Sequence, residues 1–529
     1  MKQTAAQQNH RQTREIPMFR RNTTILTGTV FAAILAAGPA LAQKSKGEIR
    51  LAIIDMFPTI DSYNSPSNET GQWARAYYSR IISFDEHKKK LVPELATSWK
   101  RIDDRTIEFE LRDDLKFSSG NKFTAEDIAY TIRYVADPKL KIRFKGRYNW
   151  HSKIEVLSPT KIRLTAKKVK HDDLFLYAYR FQIFDKGVHS KMKDKATYGA
   201  KSASTTGPYK LIKLDRQSGA HIQRNEESVG YFPHRRAPIK NVKGISMPDK
   251  QTQVAALLTG QVQVLRNPTP DMIKEFRKNP DLRITAFPTR FINYITLDAA
   301  GRSKNKKFTD IRVRRAFIKA IDREKVIKNF VAGHEIALRP KAVCYPDNIA
   351  CAHTIDPLGY DPAGAKRLLA EAGFPNGFDM ELSAFLPYKE IAEAIAGEVR
   401  KVGIRATVRA MPLPVYTKRR GRGELTALYA GYPTFAQPNT SNLMNFFFGA
   451  NRDYSKDPII QNARKTGNGV MDLKKRTAIY QKAMDQVNKM SYILPFVEQP
   501  NVYAHHKSVV IKTGATSKTE TRPPDYFWK

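Results

Sequence analysis

Two cysteines, eleven histidines and a few paired aspartates are the side chains that could carry chemistry in this chain of 529 residues. A metal site needs His, Cys or carboxylates converging at ligand spacing. The histidines are dispersed, and the adjacent pair His505-His506 would point to opposite faces of a strand. Asp103-Asp104 and Asp113-Asp114 lie at turn edges, where Asp bonds local backbone and does not share a proton with a second carboxylate. Cys344 and Cys351 lie in CYPDNIAC, and in an oxidising compartment they are expected to form one short-loop disulfide, the alternative being two free thiols. The chain contains no G-x-S-x-G elbow, no phosphate-binding G-x-x-x-x-G-K-[ST] loop, no G-x-G-x-x-G fingerprint and no H-E-x-x-H. These residues therefore predict a binding protein with no catalytic residues, no metal and no cofactor. A secreted hydrolase is the competing class, and it would need a nucleophile–base pair that the sequence does not display.

The elements that must position any site alternate between strand and helix. Residues 47–54 read as a first strand, and Thr106 to Arg112 alternates apolar and polar residues as a half-buried strand does. Phe117 to Asn121 reads as a hairpin turn, and Thr124 with Asp127 as a helix start. Residues 310–332 carry helical spacing up to Gly333, and Asp361-Pro362 opens a helix that ends at Gly373. A helix over 389–402 and a strand from Ile404 to Val408 follow. This is α/β architecture with several mixed sheets.

Residues 1–42 read as a secretory signal. A basic region ends at Arg20-Arg21, the apolar run Ile25 to Ala37 is too short to span a bilayer comfortably, and Ala40-Leu41-Ala42 precedes Gln43. Met18 is an alternative start, and an uncleaved anchor is the alternative to cleavage. The absence of Cys after the signal argues against a lipid anchor. The expected destination is a Gram-negative periplasm. Export reframes the formal charge of +39, from 90 Lys+Arg against 51 Asp+Glu. Such a balance points to nucleic acid or another anion. The basic runs His87 to Lys90, Lys304 to Lys307 and Lys418 to Arg422 are short and read as solvated loops. No nucleic-acid motif accompanies them, so no nucleic-acid partner is expected.

The segment LVPELATSWKRIDDRTIEFELRDDLKFSSGNKFTAEDIAYTI (91–132) resembles the signature of the peptide/nickel family, family 5, of ABC-transporter substrate-binding proteins. Its Pro93, Leu95, Ala96, Trp99, Phe109, Leu111, Arg112, Lys116, Phe117, Gly120, Ala125, Glu126 and Asp127 carry the likeness. Further blocks follow in family order: Thr206-Gly207-Pro208-Tyr209, Leu258 to Val264 with Gln263 where the family has Asp, Phe308 to Arg323, Asp361 to Gly377, and Tyr480 to Phe496.

The resemblance implies a two-lobe, type II-like periplasmic-binding-protein fold with a hinge and an extra subdomain in the first lobe. The first lobe would cover 43–285, with the subdomain at about 60–190. The second would cover 286–489, and 490–529 would return to the first. It further implies a monomer that closes on a peptide or other small solute and delivers it to the transmembrane permease of an ABC transporter, whose ATPase subunits act indirectly. Candidate cleft residues are Met56, Phe57, Trp73, Asn293, Tyr294, Phe385, Tyr388, Tyr429 and Tyr432. Two departures stand out. In the dipeptide-binding branch an Asp holds the ligand ammonium and an Arg its carboxylate. Here Leu428 to Pro433 contains no Asp, and Leu386 stands where the Arg would be. Longer peptides, or a non-peptide ligand such as an opine, a sugar or an anion, are the implied alternatives to free dipeptide.

Overall fold

A computed structural model describes residues 47–54, 56–65, 68–85, 87–140, 142, 145–201, 203–228, 230–232, 237–433, 439–513 and 526–529. Residues 1–42, expected to be a secretory signal, lie outside the described residues.

Two large sheets organise the chain. The seven-stranded sheet runs in the order Leu282–Phe287, Asn501–His506, Val264–Arg266, Glu48–Ile53, Asn241–Ser246, Gly219–Arg224, Tyr209–Asp215. Glu48–Ile53 sits at its centre, parallel to both neighbours. Ile49, Leu51, Ala52 and Ile53 are buried, as a central strand covered on both faces requires, while Glu48 is paired with Arg50 and Lys243. The five-stranded sheet runs Ile404–Met411, Phe378–Phe385, Ala427–Pro433, Phe291–Leu297, Ile493–Glu498. The chain passes between the two sheets twice, from Phe287 to Phe291 and from Glu498 to Asn501. A four-stranded antiparallel sheet, Ala96–Asp103, Thr106–Leu111, Lys161–Ala166 and His151–Ser158, packs its apolar face into the core that also lies under the seven-stranded sheet. Separate cores cover the two faces of the five-stranded sheet. The result is a two-lobe α/β fold with an added antiparallel subdomain.

Local signals explain many boundaries. Thr124 and Asp127 form a reciprocal capping box at the start of helix Ala125–Ala136. Asp361 accepts the Gly364 N–H to cap helix Pro362–Glu371, and the chain turns out of that helix through Gly373 at φ +86°. Phe117 donates its N–H to the Asn121 carbonyl at 2.9 Å, closing the hairpin turn. Gln263, where the family has Asp, accepts the Arg50 N–H at 3.0 Å and donates to the Gly260 carbonyl at 2.9 Å.

Two expectations require correction. Residues 310–332 are not one helix but two, Ile311–Lys319 and Arg323–Phe330. The break arises because Asp322 leaves the helical conformation and accepts the Lys325 N–H as a new N-cap. Lys418 to Arg422 is not a solvated loop but the end of helix Leu413–Arg422. Helical spacing turns one member of that run, Arg420, inward, leaving it 4% exposed.

Candidate ligand-binding site

The site is built around one phenyl ring. Asn439 accepts the Ser441 N–H at 3.1 Å and starts helix Thr440–Phe448. That helix carries Phe446 onto Tyr432 of strand Ala427–Pro433, ring centroids 3.6 Å apart and nearly parallel. Helix Leu413–Arg422 ends at Gly423, whose φ of +77° is the left-handed conformation glycine adopts without strain. It brings the Arg420 guanidinium 4.9 Å from the Phe446 centroid, and its Nη1 donates to the Tyr294 hydroxyl at 3.2 Å. Arg452, ending the short turn Ala450–Arg452, lies 5.5 Å from the same ring. Two cations thus lie close to one aromatic ring, an arrangement that offsets part of their desolvation.

The opposing side comes from the first lobe. Arg180 caps the C-terminal end of helix Asp173–Tyr179. It lies within electrostatic reach of Tyr432 and of Arg147. The Arg147 carbonyl accepts the Trp150 indole N–H at 3.0 Å, which fixes the turn entering strand His151–Ser158. Burial, with Arg147 adding to it, pushes the Arg180 guanidinium down to about 10. Burial and then Arg420 lower Arg452 as well.

Beside this cluster a cavity of about 390 Å³ opens between the lobes. Trp150, Lys167, Lys170 and His171 line one side, Ser441 and Asn445 the other. Both ring nitrogens of His171 and the Ser441 hydroxyl are buried without hydrogen-bond partners. Burial brings His171 down to about 4 despite the neighbouring Asp172, so the ring is neutral near pH 7.

The residues singled out from sequence fall into three groups. Tyr294 and Tyr432 meet the arginine cluster. Met56, Phe57 and Trp73 fill the first-lobe core, Phe57 and Trp73 at 5.4 Å. Asn293, Phe385, Tyr388 and Tyr429 form a connected set within the five-stranded sheet and the turn beside it: Asn293 donates to the Tyr429 hydroxyl at 3.3 Å, and Tyr388 packs on Tyr429 and Phe385. Sequence reasoning passed over Arg147, Trp150, Arg180, Phe446 and Arg452. One usable signal existed: Arg420 lies in a basic run that also has helical spacing, and helical spacing puts one side of a run against protein. Cys344 and Cys351 are joined by a disulfide, with Cα atoms 5.9 Å apart. No group of His, Cys, Asp or Glu among the described residues could hold a metal ion. Among the same residues no helix is long and apolar enough to cross a membrane.

Residues 90–455 match the family model for bacterial extracellular solute-binding proteins, family 5. The chain belongs to that family. It is the solute-binding component of an ABC transporter, and its family consists of binding proteins that work with a permease, not of enzymes. The glutathione-binding protein GsiB of Escherichia coli K12 is 26% identical over 502 residues, spanning 90% of this chain and 93% of that protein. Among solved structures, the periplasmic binding protein DppA of Helicobacter pylori, in complex with the peptide STSA, superposes with a TM-score of 0.75 at 22% identity, covering 92% of this chain and 99% of that one. NikA of Brucella suis, in complex with Fe(III)-EDTA, gives a TM-score of 0.80 at 19% identity over 91% of this chain and 100% of that one.

Proposed function

We propose that this solute-binding component is exported to the periplasm and captures a short peptide or peptide-like carboxylate between its two lobes. The carrying observation is that the binding walls come from both lobes: Arg180 from one, and Tyr432 with Phe446 from the other. A ligand touching both walls favours the closed arrangement by contacts the open one cannot make. The segments 288–290 and 499–500 serve as hinge, because they join the two large sheets. The working form is a monomer, and the mature chain starts at Gln43.

The similarity to a glutathione-binding protein supports a peptide-like solute. Binding through the ligand's ammonium is not the anchoring feature, since no carboxylate lies in strand Ala427–Pro433, and the exposed Leu386 offers no cation, so a ligand carboxylate is held by other residues. Backbone donors and aromatic walls fit the rest of a peptide. Native mass spectrometry of protein recovered from its periplasm tests the reading. A co-purified peptide or small carboxylate, with contraction of the protein in X-ray scattering when that solute is restored, is the expected result. Protein recovered empty, with no scattering change across a peptide panel, would overturn it. N-terminal sequencing of the same sample checks processing before Gln43.

A further inference from the structure

We infer that the ligand of this site carries at least two anionic groups, carboxylates in the first instance, held jointly by Arg180, Arg420 and Arg452. The inference rests on the receptor reading above and specifies the charge of what that receptor binds.

Two buried arginines away from the site are held by backbone carbonyls: Arg314 donates to those of Phe308, Thr309 and Met490, and Arg476 to those of Val470 and Met471, although the Arg476 Nε has no partner. The site arginines differ. Arg420 is 4% exposed, yet its Nε and Nη2 find no acceptor, and neither does the buried Nε of Arg180. The half-buried Arg452 lies over the Phe446 ring, within electrostatic reach of Arg420, Tyr432, Arg147 and Tyr294, and its side chain makes no hydrogen bond among the described residues. A guanidinium does not deprotonate to escape burial, so an unpaired one needs a counter-charge from elsewhere. The phenyl and phenol faces supply part of it. Asp172 is the acid within reach of Arg180, and it already faces Lys170 at 2.9 Å and His171 at 3.8 Å. One carboxylate takes at most one guanidinium in bidentate fashion. Three guanidiniums therefore leave room for more than one.

The cavity adds an independent observation. Lys167, Lys168 and Lys170 line it, with Asp172 as the one acid of its wall. Buried, unpartnered polar atoms of His171 and Ser441 face the same cavity. A second anionic group placed there meets ammonium donors and a hydroxyl, while the first meets the arginines.

The test uses mature protein stripped of ligand, titrated calorimetrically with triglutamate, tricarballylate and trialanine. Triglutamate or tricarballylate should bind at least tenfold tighter than trialanine, and which of them does so tells whether the anions sit on a peptide or on a free polycarboxylate. Arg180→Gln and Arg452→Gln, neither of which removes a side-chain hydrogen bond, should each weaken that binding tenfold or more. They should hold or raise the melting temperature of the ligand-free protein, because like-charge repulsion is relieved. Equal or tighter binding of trialanine, unchanged affinity in both variants, or a lowered melting temperature with equal losses for all titrants would overturn the inference. If none of the three binds, the co-purified solute decides: two or more anionic groups support the inference, and fewer overturn it while leaving the receptor reading intact. Absence of both binding and solute would overturn the receptor reading, and this inference with it.

Discussion

Thr289 donates its backbone N–H to a carboxylate oxygen of Glu498, tying together the two segments that cross between the large sheets. Glu498 is fully buried, and its second oxygen has no partner. Burial outweighs the bond from Thr289 and pushes the carboxyl up to about 7, with Asp347 adding to the rise and Arg290 opposing it.

This carboxyl makes stability pH-dependent at the crossing. The folded protein holds its proton up to about pH 7, whereas the unfolded chain releases it near 4.5. The stabilising contribution is therefore complete below about 4.5 and is lost as pH rises through that window. Glu498→Gln keeps an acceptor for Thr289 and removes the titration. Relative to wild type it should gain about 3 kcal/mol at pH 8 and little at pH 4.5, read from chemical denaturation at both values. Equal differences at the two pH values would refute the assignment.

Gly207, in the Thr-Gly-Pro-Tyr block, donates its N–H to the Tyr77 carbonyl at 2.6 Å. A Cβ placed there would lie 2.2 Å from that oxygen. Gly207→Ala must push the strand starting at Tyr209 away from helix Asn68–Tyr77. A loss of at least ~2 kcal/mol is expected in denaturant unfolding. Unchanged stability would show that the backbone relaxes freely.

The disulfide closes a loop of seven residues' separation beneath the core containing Tyr345. The paired variant Cys344→Ser with Cys351→Ser should lose about 2 kcal/mol, the scale set by closing so short a loop. Wild type in reductant should match it. A much larger loss would mean that the half-cystines' packing, not the cross-link, dominates.

The formal charge of +39 gives capture an ionic-strength dependence. Stopped-flow association of tricarballylate should slow by about tenfold or more between roughly 20 mM and 500 mM salt, as the screening length shrinks. Trialanine should change far less. Equal slopes for the two would reduce the charge to a solvated exterior.

Much of the scaffold is legible from local pattern. The capping box at Thr124, the Asp361 cap with Gly373 behind it, and the alternation in Thr106–Leu111 are all short-range chemistry. The ordered motif blocks carry the family, because each block reflects a tight turn, cap or packed glycine such as Gly207. The break at Asp322 was harder to see, since an apolar stripe runs on across it and only the cap bond marks a new helix.

The site itself was decided by tertiary structure. Arg147, Arg180, Arg420 and Arg452 are spread over three hundred residues and belong to four different elements. Periodicity tells which side of an element is buried, not which distant segment covers it. A charged residue read alone defaults to solvent, because burying it unpaired is costly. Only the folded chain shows that Phe446 and Tyr294 cover Arg420, and that Arg180 reaches the same place from the other lobe. The sequence by itself determined the two-lobe receptor architecture and its family. Which aromatic residues became core, as Trp73 did, and which arginines were gathered around one aromatic cluster, only three-dimensional packing could decide.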